Sequence, residues 1–275
     1  MTFWRHRRTS TLFAWTLALT VNVVGPEVTA AVEPGTTWQW TQIHGHRIYY
    51  AVRGEGPTLV LLHGGGASGE QSFEHQLDVF AEHHHIVAPD QVGQGRTPDV
   101  PGPLSYRAMT EDTATLFQQL KLKHVDVIGF SDGGILALML ALYHPELVRR
   151  LVISGVNVSP DGLKAEHREG LLAAQTDHPK TIGEKLSKLW LTSPTETELS
   201  LTLLKNIPQP VLVVSGDRDL ITLEHTLQIF HALPQAELCI LPGTNHGTFS
   251  ARPEWLNPII TNFLNREADP GPTPK

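Results

Sequence analysis

Ser131 stands at the centre of Gly129-Phe130-Ser131-Asp132-Gly133, with a further glycine at Gly134. A serine hydroxyl attacks a carbonyl only when a base takes its proton and a third group holds that base in place. In a chain with 23 glycines the G-x-S-x-G spacing alone says little. Its surroundings say more. Val125–Phe130 reads as an apolar strand, and Gly134–Tyr143 as an almost wholly apolar, hence buried, helix. A strand that turns abruptly into a helix projects the serine Oγ from the corner. Glycines two before and two after let neighbouring backbone pass close to it.

Six histidines follow as possible bases: His144, His167, His178, His225, His231 and His246. His144, His225 and His231 fall within or beside expected helices. His246 alone follows a late strand in a loop, Gly243-Thr244-Asn245-His246-Gly247. For the orienting acid, the strand Val211–Ser215 runs into Gly216-Asp217-Arg218-Asp219, and the next strand delivers His246. Asp219 is the chosen acid; Asp217 is expected to shape the turn. An oxyanion needs preorganised N–H donors. One is the amide of Asp132, directly after the serine. The other is expected from His63-Gly64-Gly65-Gly66, at Gly65 with Gly66 as the alternative, while His63 orients that loop.

Apolar β-rich runs alternate with helical patterns, which predicts an α/β fold with a mostly parallel central sheet flanked by helices. A leading hairpin spans Thr37–Ile43 and Ile48–Arg53 around His44-Gly45-His46. Strands follow at Thr58–Leu62, Ile86–Ala88, Val125–Phe130, Leu147–Ser154, Val211–Ser215 and Glu237–Leu241. Helices are expected over Ser72–Glu82, Tyr106–Leu120, Gly134–Tyr143, His225–Ala232 and Glu254–Asn265, the first because Phe73, Leu77 and Phe80 recur at helical spacing. Between about residues 156 and 206 the alternation lapses into two or three short helices, such as Leu163–Ala174 and Ile182–Leu191, which read as a small helical cap over the sheet. Fifty residues are too few to bury a core of their own. Leu186, Leu189 and Trp190 form the stripe expected to seat this cap, and they also suit the wall of an acyl pocket.

These motifs, in this order, resemble α/β-hydrolase-fold serine hydrolases along about residues 40–266. His63-Gly64-Gly65-Gly66, the corner at Ser131, Gly216-x-x-Asp219 and Gly243-x-x-His246 carry the likeness. Asp90-Gln91-Val92-Gly93-Gln94-Gly95-Arg96-Thr97 resembles the family's D-x-R-G-H-G-x-S loop, departing at Val92, Gln94 and Thr97. The Ser-Asp-Gly-Gly corner looks most like that of valacyclovir-hydrolase-type small-molecule esterases. With serine as nucleophile, the branches that use aspartate are disfavoured. The resemblance implies an enzyme without a cofactor, cleaving a small carboxylic ester or lactone through a Ser131-His246-Asp219 triad and an acyl-enzyme. C–C bond, aminoacyl or amide hydrolysis and perhydrolysis on the same triad are the alternatives. A non-catalytic ligand-binding protein of this fold is a further one.

Four other features bear on function. The Asp132 carboxylate could attract a substrate ammonium, or it could brace the corner at Ser131. His83-His84-His85 is not expected to bind a metal, because adjacent residues of an extended chain face opposite ways. His44 and His46 share one face, with no acidic or sulfur partner evident in the sequence. Trp38, Trp40, Tyr49 and Tyr50 near the hairpin read as packing.

The 275 residues are 40% hydrophobic and 18% charged, an ordinary globular composition. A net charge of −7 argues against nucleic acid as a partner. The single cysteine, Cys239, excludes an internal disulfide and is expected in the core. Arg5, Arg7 and Arg8, then the apolar Leu12–Val24, then Val28-Thr29-Ala30, describe a signal peptide over residues 1–30, cleaved after Ala30. The expectation is therefore an exported hydrolase domain over 31–275, with no stable membrane insertion after cleavage. The apolar run is short of the ~20 residues that span a bilayer.

Overall fold

In the computed structural model, which describes residues 35–266, nearly every central strand is apolar on both sides because both sides are covered. In chain order come β1 (Thr37–Ile43), β2 (His46–Arg53), β3 (Thr58–Leu62), α1 (Gly69–Ser72), α2 (Leu77–Ala81) and β4 (His85–Pro89). Next are α3 (Tyr106–Gln119), β5 (Val125–Phe130), α4 (Asp132–Tyr143), β6 (Val148–Ser154), α5 (Ala165–Ala173), α6 (Ile182–Thr192) and α7 (Leu201–Leu204). The chain then adds β7 (Val211–Gly216), α8 (Leu223–Ala232), β8 (Ala236–Leu241), α9 (Thr248–Ala251) and α10 (Pro253–Asn265).

The eight strands form one sheet in the order β1-β2-β4-β3-β5-β6-β7-β8. β2 pairs antiparallel with β1 and β4, and every other pair is parallel. Successive side chains point to opposite faces of a strand. Val60, Leu62, Val127, Leu151, Ile153 and Val213 therefore join one core with α3, α4 and α8, while Leu59, Leu61, Ile128, Val152 and Leu212 join the other with α2 and α10. The buried reading of α4 holds: Gly133 to Ala141 are all buried. From β3 the chain runs outward to β4, then crosses back to β5 and continues to the other edge. The carboxyl ends of β3 and β5 thus flank the point where strand order reverses, the usual crevice of such sheets.

Several local expectations need correction. The helix expected over Ser72–Glu82 is two short ones, α1 and α2. α1 begins early, at a Ser68–Gln71 capping box. The break near Gln76 has a cause: its side chain is fully buried and donates to Phe249 O and Asn257 Oδ1, both at 2.9 Å. The one-turn helix α7 adds a third short helix to the stretch before β7, and the one-turn helix α9 was not expected. Cys239 is half-buried, since β8 is an edge strand. His44 and His46 do have an acidic partner. Asp112 of α3, buried, lies 2.6 Å from His44 Nδ1 and 3.0 Å from His46 Nε2. His84 and His85 turn their Nδ1 atoms to different carbonyls, Phe80 O and Gly54 O. Trp40 is exposed beneath the Arg47 guanidinium, and Trp38 lies beneath Arg96. The leader expected over residues 1–30 lies outside the described residues. Among these no helix is long and apolar enough to cross a membrane.

Candidate active site

Ser131 joins β5 to α4 with φ 52° and ψ −117°, a conformation that costs a non-glycine residue roughly 1–3 kcal/mol. The neighbouring glycines make the corner possible. A Cβ on Gly133 would sit 1.9 Å from Leu62 O, and one on Gly129 would sit 2.3 Å from Gly133 O. The first turn of α4 is therefore seated directly on the end of β3. Ser131 N–H is tied to the next strand through Ser154 O at 2.8 Å.

Each partner of Ser131 comes from the carboxyl end of another strand. His246 Nε2 lies 3.0 Å from Ser131 Oγ, and His246 Nδ1 lies 2.6 Å from Asp219 Oδ1. An ionised carboxylate only accepts, so Nδ1 carries the proton and Nε2 is free to accept from the serine hydroxyl. Burial alone would push the Asp219 carboxyl up. The His246 hydrogen bond and charge, with the Ile221 and Leu220 amides, outweigh it and hold the group below its ordinary range. Phe130 packs tilted against the imidazole, ring centroids 5.1 Å apart. Asp217 accepts from Thr244 N–H at 3.0 Å and shapes the loop before His246. Of the other histidines, His144 meets Glu111, and His225 Nε2 accepts from Val158 N–H.

The glycine turn after β3 lies against the same corner. A Cβ on Gly64 would stand 3.4 Å from Ser131 Cβ. Gly66 N–H donates to Gln94 Oε1 at 2.7 Å, which leaves Gly65 as the unspent donor of the pair. Among the described residues neither Gly65 N–H nor Asp132 N–H donates to a protein acceptor. His63 is fully buried: Nε2 accepts from Gln91 N–H at 2.9 Å, and Nδ1–H donates to Gly64 O at 2.8 Å. Burial lowers its pKa, as suits a neutral ring that ties two loops together.

Some of the site's neighbours were not visible in the sequence. Gly155 lies behind the imidazole: a Cβ there would be 2.6 Å from His246 Cε1. Tyr106 Oη donates to Asp132 Oδ1 at 2.8 Å, and Trp190 Nε1 lies 3.0 Å from both Asp132 oxygens. Of the two roles open to Asp132, these donors favour bracing. Burial raises its pKa, with Trp190 and Tyr106 pulling the other way.

Such a site has the groups to deprotonate a serine and hold an oxyanion. A family model described as alpha/beta hydrolase fold matches residues 57–181. RutD of Agrobacterium fabrum, provisionally named a carbamate hydrolase, is 27% identical over 245 residues, covering 76% of this chain and 94% of that protein. The (E)-2-((N-methylformamido)methylene)succinate hydrolase of Acinetobacter baylyi is 24% identical over 246 residues, covering 78% and 93%. Among solved structures, the enol-lactonase of Burkholderia xenovorans superposes with a TM-score of 0.69 at 19% identity, over 83% of this chain and all of that one. With an eight-stranded sheet, helices on both faces and these relatives, the chain is a hydrolase of the α/β-hydrolase fold.

Proposed function

We propose that this hydrolase cleaves a small carboxylic ester or lactone by acyl transfer to Ser131. Ser131 Oγ attacks the carbonyl carbon while His246 Nε2 takes its proton, and Asp219 holds and stabilises the resulting imidazolium. The Gly65 and Asp132 amides receive the oxyanion. His246 then returns the proton to the leaving alkoxide, and the acyl group stays on Ser131. A water, deprotonated by the same imidazole, attacks the acyl-enzyme and releases the acid. No cofactor enters these steps.

The observation that carries this reading is the unbroken hydrogen-bond path Ser131–His246–Asp219, ending on a serine held at a positive φ. The substrate class draws support from the relatives: carbamate and lactone, in the names quoted above, are both acyl groups bonded to a heteroatom. The cap helices over residues 156–206 favour a compact substrate.

A panel of p-nitrophenyl acetate, butyrate and octanoate, with an amino-acid ester, tests the proposal beside Ser131→Ala. Turnover is expected with the short acyl groups, and Ser131→Ala should lower kcat by about 10⁴–10⁶-fold. Near-normal turnover by purified Ser131→Ala would overturn the mechanism.

A further inference from the structure

The Asp132 side chain has no part in the acyl transfer described above, yet it occupies the seam between cap and oxyanion turn. It is 6% exposed and has no cationic partner among the described ion pairs. Its oxygens are held by two neutral donors, Tyr106 Oη from α3 and Trp190 Nε1 from α6. A buried carboxylate is a costly way to fasten a helix unless every lone pair it turns inward is met.

What the carboxylate and the indole jointly touch is Gly65. A Cβ on Gly65 would lie 2.4 Å from Asp132 Oδ2 and 2.7 Å from Trp190 Cζ2. The side chain of one oxyanion residue therefore packs directly on the backbone of the other, with the cap's indole in the same contact. Elsewhere α6 is fastened by ordinary means. Lys185 Nζ donates to Asp99 Oδ1 and Oδ2 at 2.9 and 2.8 Å and to Val100 O at 2.7 Å, and Leu186 and Leu189 are buried. Trp190, one turn further along, is where the helix reaches the catalytic corner.

We infer that Asp132 is a positioning residue whose carboxylate clamps Trp190 of the cap onto Gly65, so that cap seating and the alignment of both oxyanion amides form one unit. Trp190 is then a fixed ceiling on the carbonyl-oxygen side of the site, and its presence limits what can enter there. Because the carboxylate is already engaged by two donors, it does not select a substrate ammonium. The inference rests on the acyl-transfer reading, since it assigns the clamp to that reaction's oxyanion donors.

Asp132→Asn, Trp190→Phe and the double variant test it. Asparagine keeps the shape but removes the charge and replaces one of the two oxygens that face Trp190 Nε1 with an NH₂, and phenylalanine keeps a ring but removes the N–H. The readouts are the rate of Ser131 labelling by a fluorophosphonate, and kcat and KM on a neutral and an ammonium-bearing p-nitrophenyl ester. Each single variant should lower labelling and kcat by about 10- to 100-fold, the range for losing a hydrogen bond to a charged group. KM should stay within about threefold, and neutral and ammonium esters should suffer alike. The double variant should be no worse than the poorer single, because both remove the same contact. A packing role without the clamp would change stability but leave the split between kcat and KM unmoved.

Labelled wild type with variants at wild-type rates, or with losses that multiply, overturns the clamp and leaves the acyl-transfer reading standing. Loss confined to the ammonium ester in Asp132→Asn overturns it too, and makes the carboxylate a substrate contact. Wild-type protein that resists the probe overturns both readings together. Trp190→Phe keeps the test decisive should Asp132→Asn fail to fold.

Discussion

Gly65→Ala isolates the geometry of the turn proposed to hold the oxyanion. The glycine's φ is not in the left-handed region, so alanine brings no backbone strain of its own. The single added methyl would meet Asp132 Oδ2 at 2.4 Å and the Trp190 ring at 2.7 Å. Ordinary contact begins near 3.5 Å, so one side must retreat by about 1 Å. Asp132 is hydrogen-bonded to both Trp190 and Tyr106, whereas Gly65 stands on a turn, and it is the turn's amide that is displaced. A misplacement of about 1 Å lowers rate on the order of 100-fold, equivalent to about 2.7 kcal/mol of transition-state stabilisation. Overpacking of this kind also costs about 1–3 kcal/mol of stability, so a melting temperature lower by several degrees should accompany it. The assay is kcat/KM on p-nitrophenyl acetate beside a thermal melt. A folded Gly65→Ala enzyme with wild-type kcat would refute the assignment of this turn to the oxyanion.

Gly133→Ala should fail differently. Its methyl would fall 1.9 Å from Leu62 O, a backbone atom inside the sheet, so the expected result is a loss of about 3 kcal/mol or more in stability, read by urea unfolding. Wild-type stability would contradict the close seating of α4 on β3. Asp219 is held below its ordinary pKa, so it contributes stability above its unfolded value near 3.9 and loses it as pH falls through the lower folded value. The stability gap between wild type and Asp219→Asn should therefore be full at about pH 5 and narrow below about pH 4. A gap that widens with acid would reverse the sign. For residues 1–30, expression in an exporting host should yield a mature chain starting at Ala31 on N-terminal sequencing, and a retained Met1 would remove the leader assignment.

Much of the candidate site's geometry was readable because each member of the hydrogen-bond path carries a local mark. Ser131, Asp219 and His246 each sit just beyond an apolar strand, in a loop that contains glycine, and the alternation of strands with helices predicts the mostly parallel sheet, though not its strand order. Three rows of short-range pattern were enough to bring residues 115 positions apart to one hydrogen bond. The neighbours that tune the site carry no such mark. Trp190 lies 58 positions from Asp132, on a helix whose stripe predicts burial but not which atom its N–H will meet. Gln94 differs from the expected pattern of its loop, and its contact with Gly66 decides which glycine amide stays unspent. The same limit explains the misread elements. Periodicity linked Phe73, Leu77 and Phe80 into one helix, and all three are buried, but the hydrogen bonds from Gln76 to a segment over 170 positions away break it in two. Asp112 was invisible as a partner of the hairpin residues His44 and His46 because it lies on α3, 68 and 66 positions away.

The most direct test of the central claim is mass spectrometry of the purified protein after reaction with a fluorophosphonate. One adduct is expected, on the peptide that contains Ser131, formed by the wild type, absent from Ser131→Ala and strongly slowed in His246→Ala. An adduct on any other residue, or unchanged labelling in Ser131→Ala, would contradict Ser131 as the nucleophile.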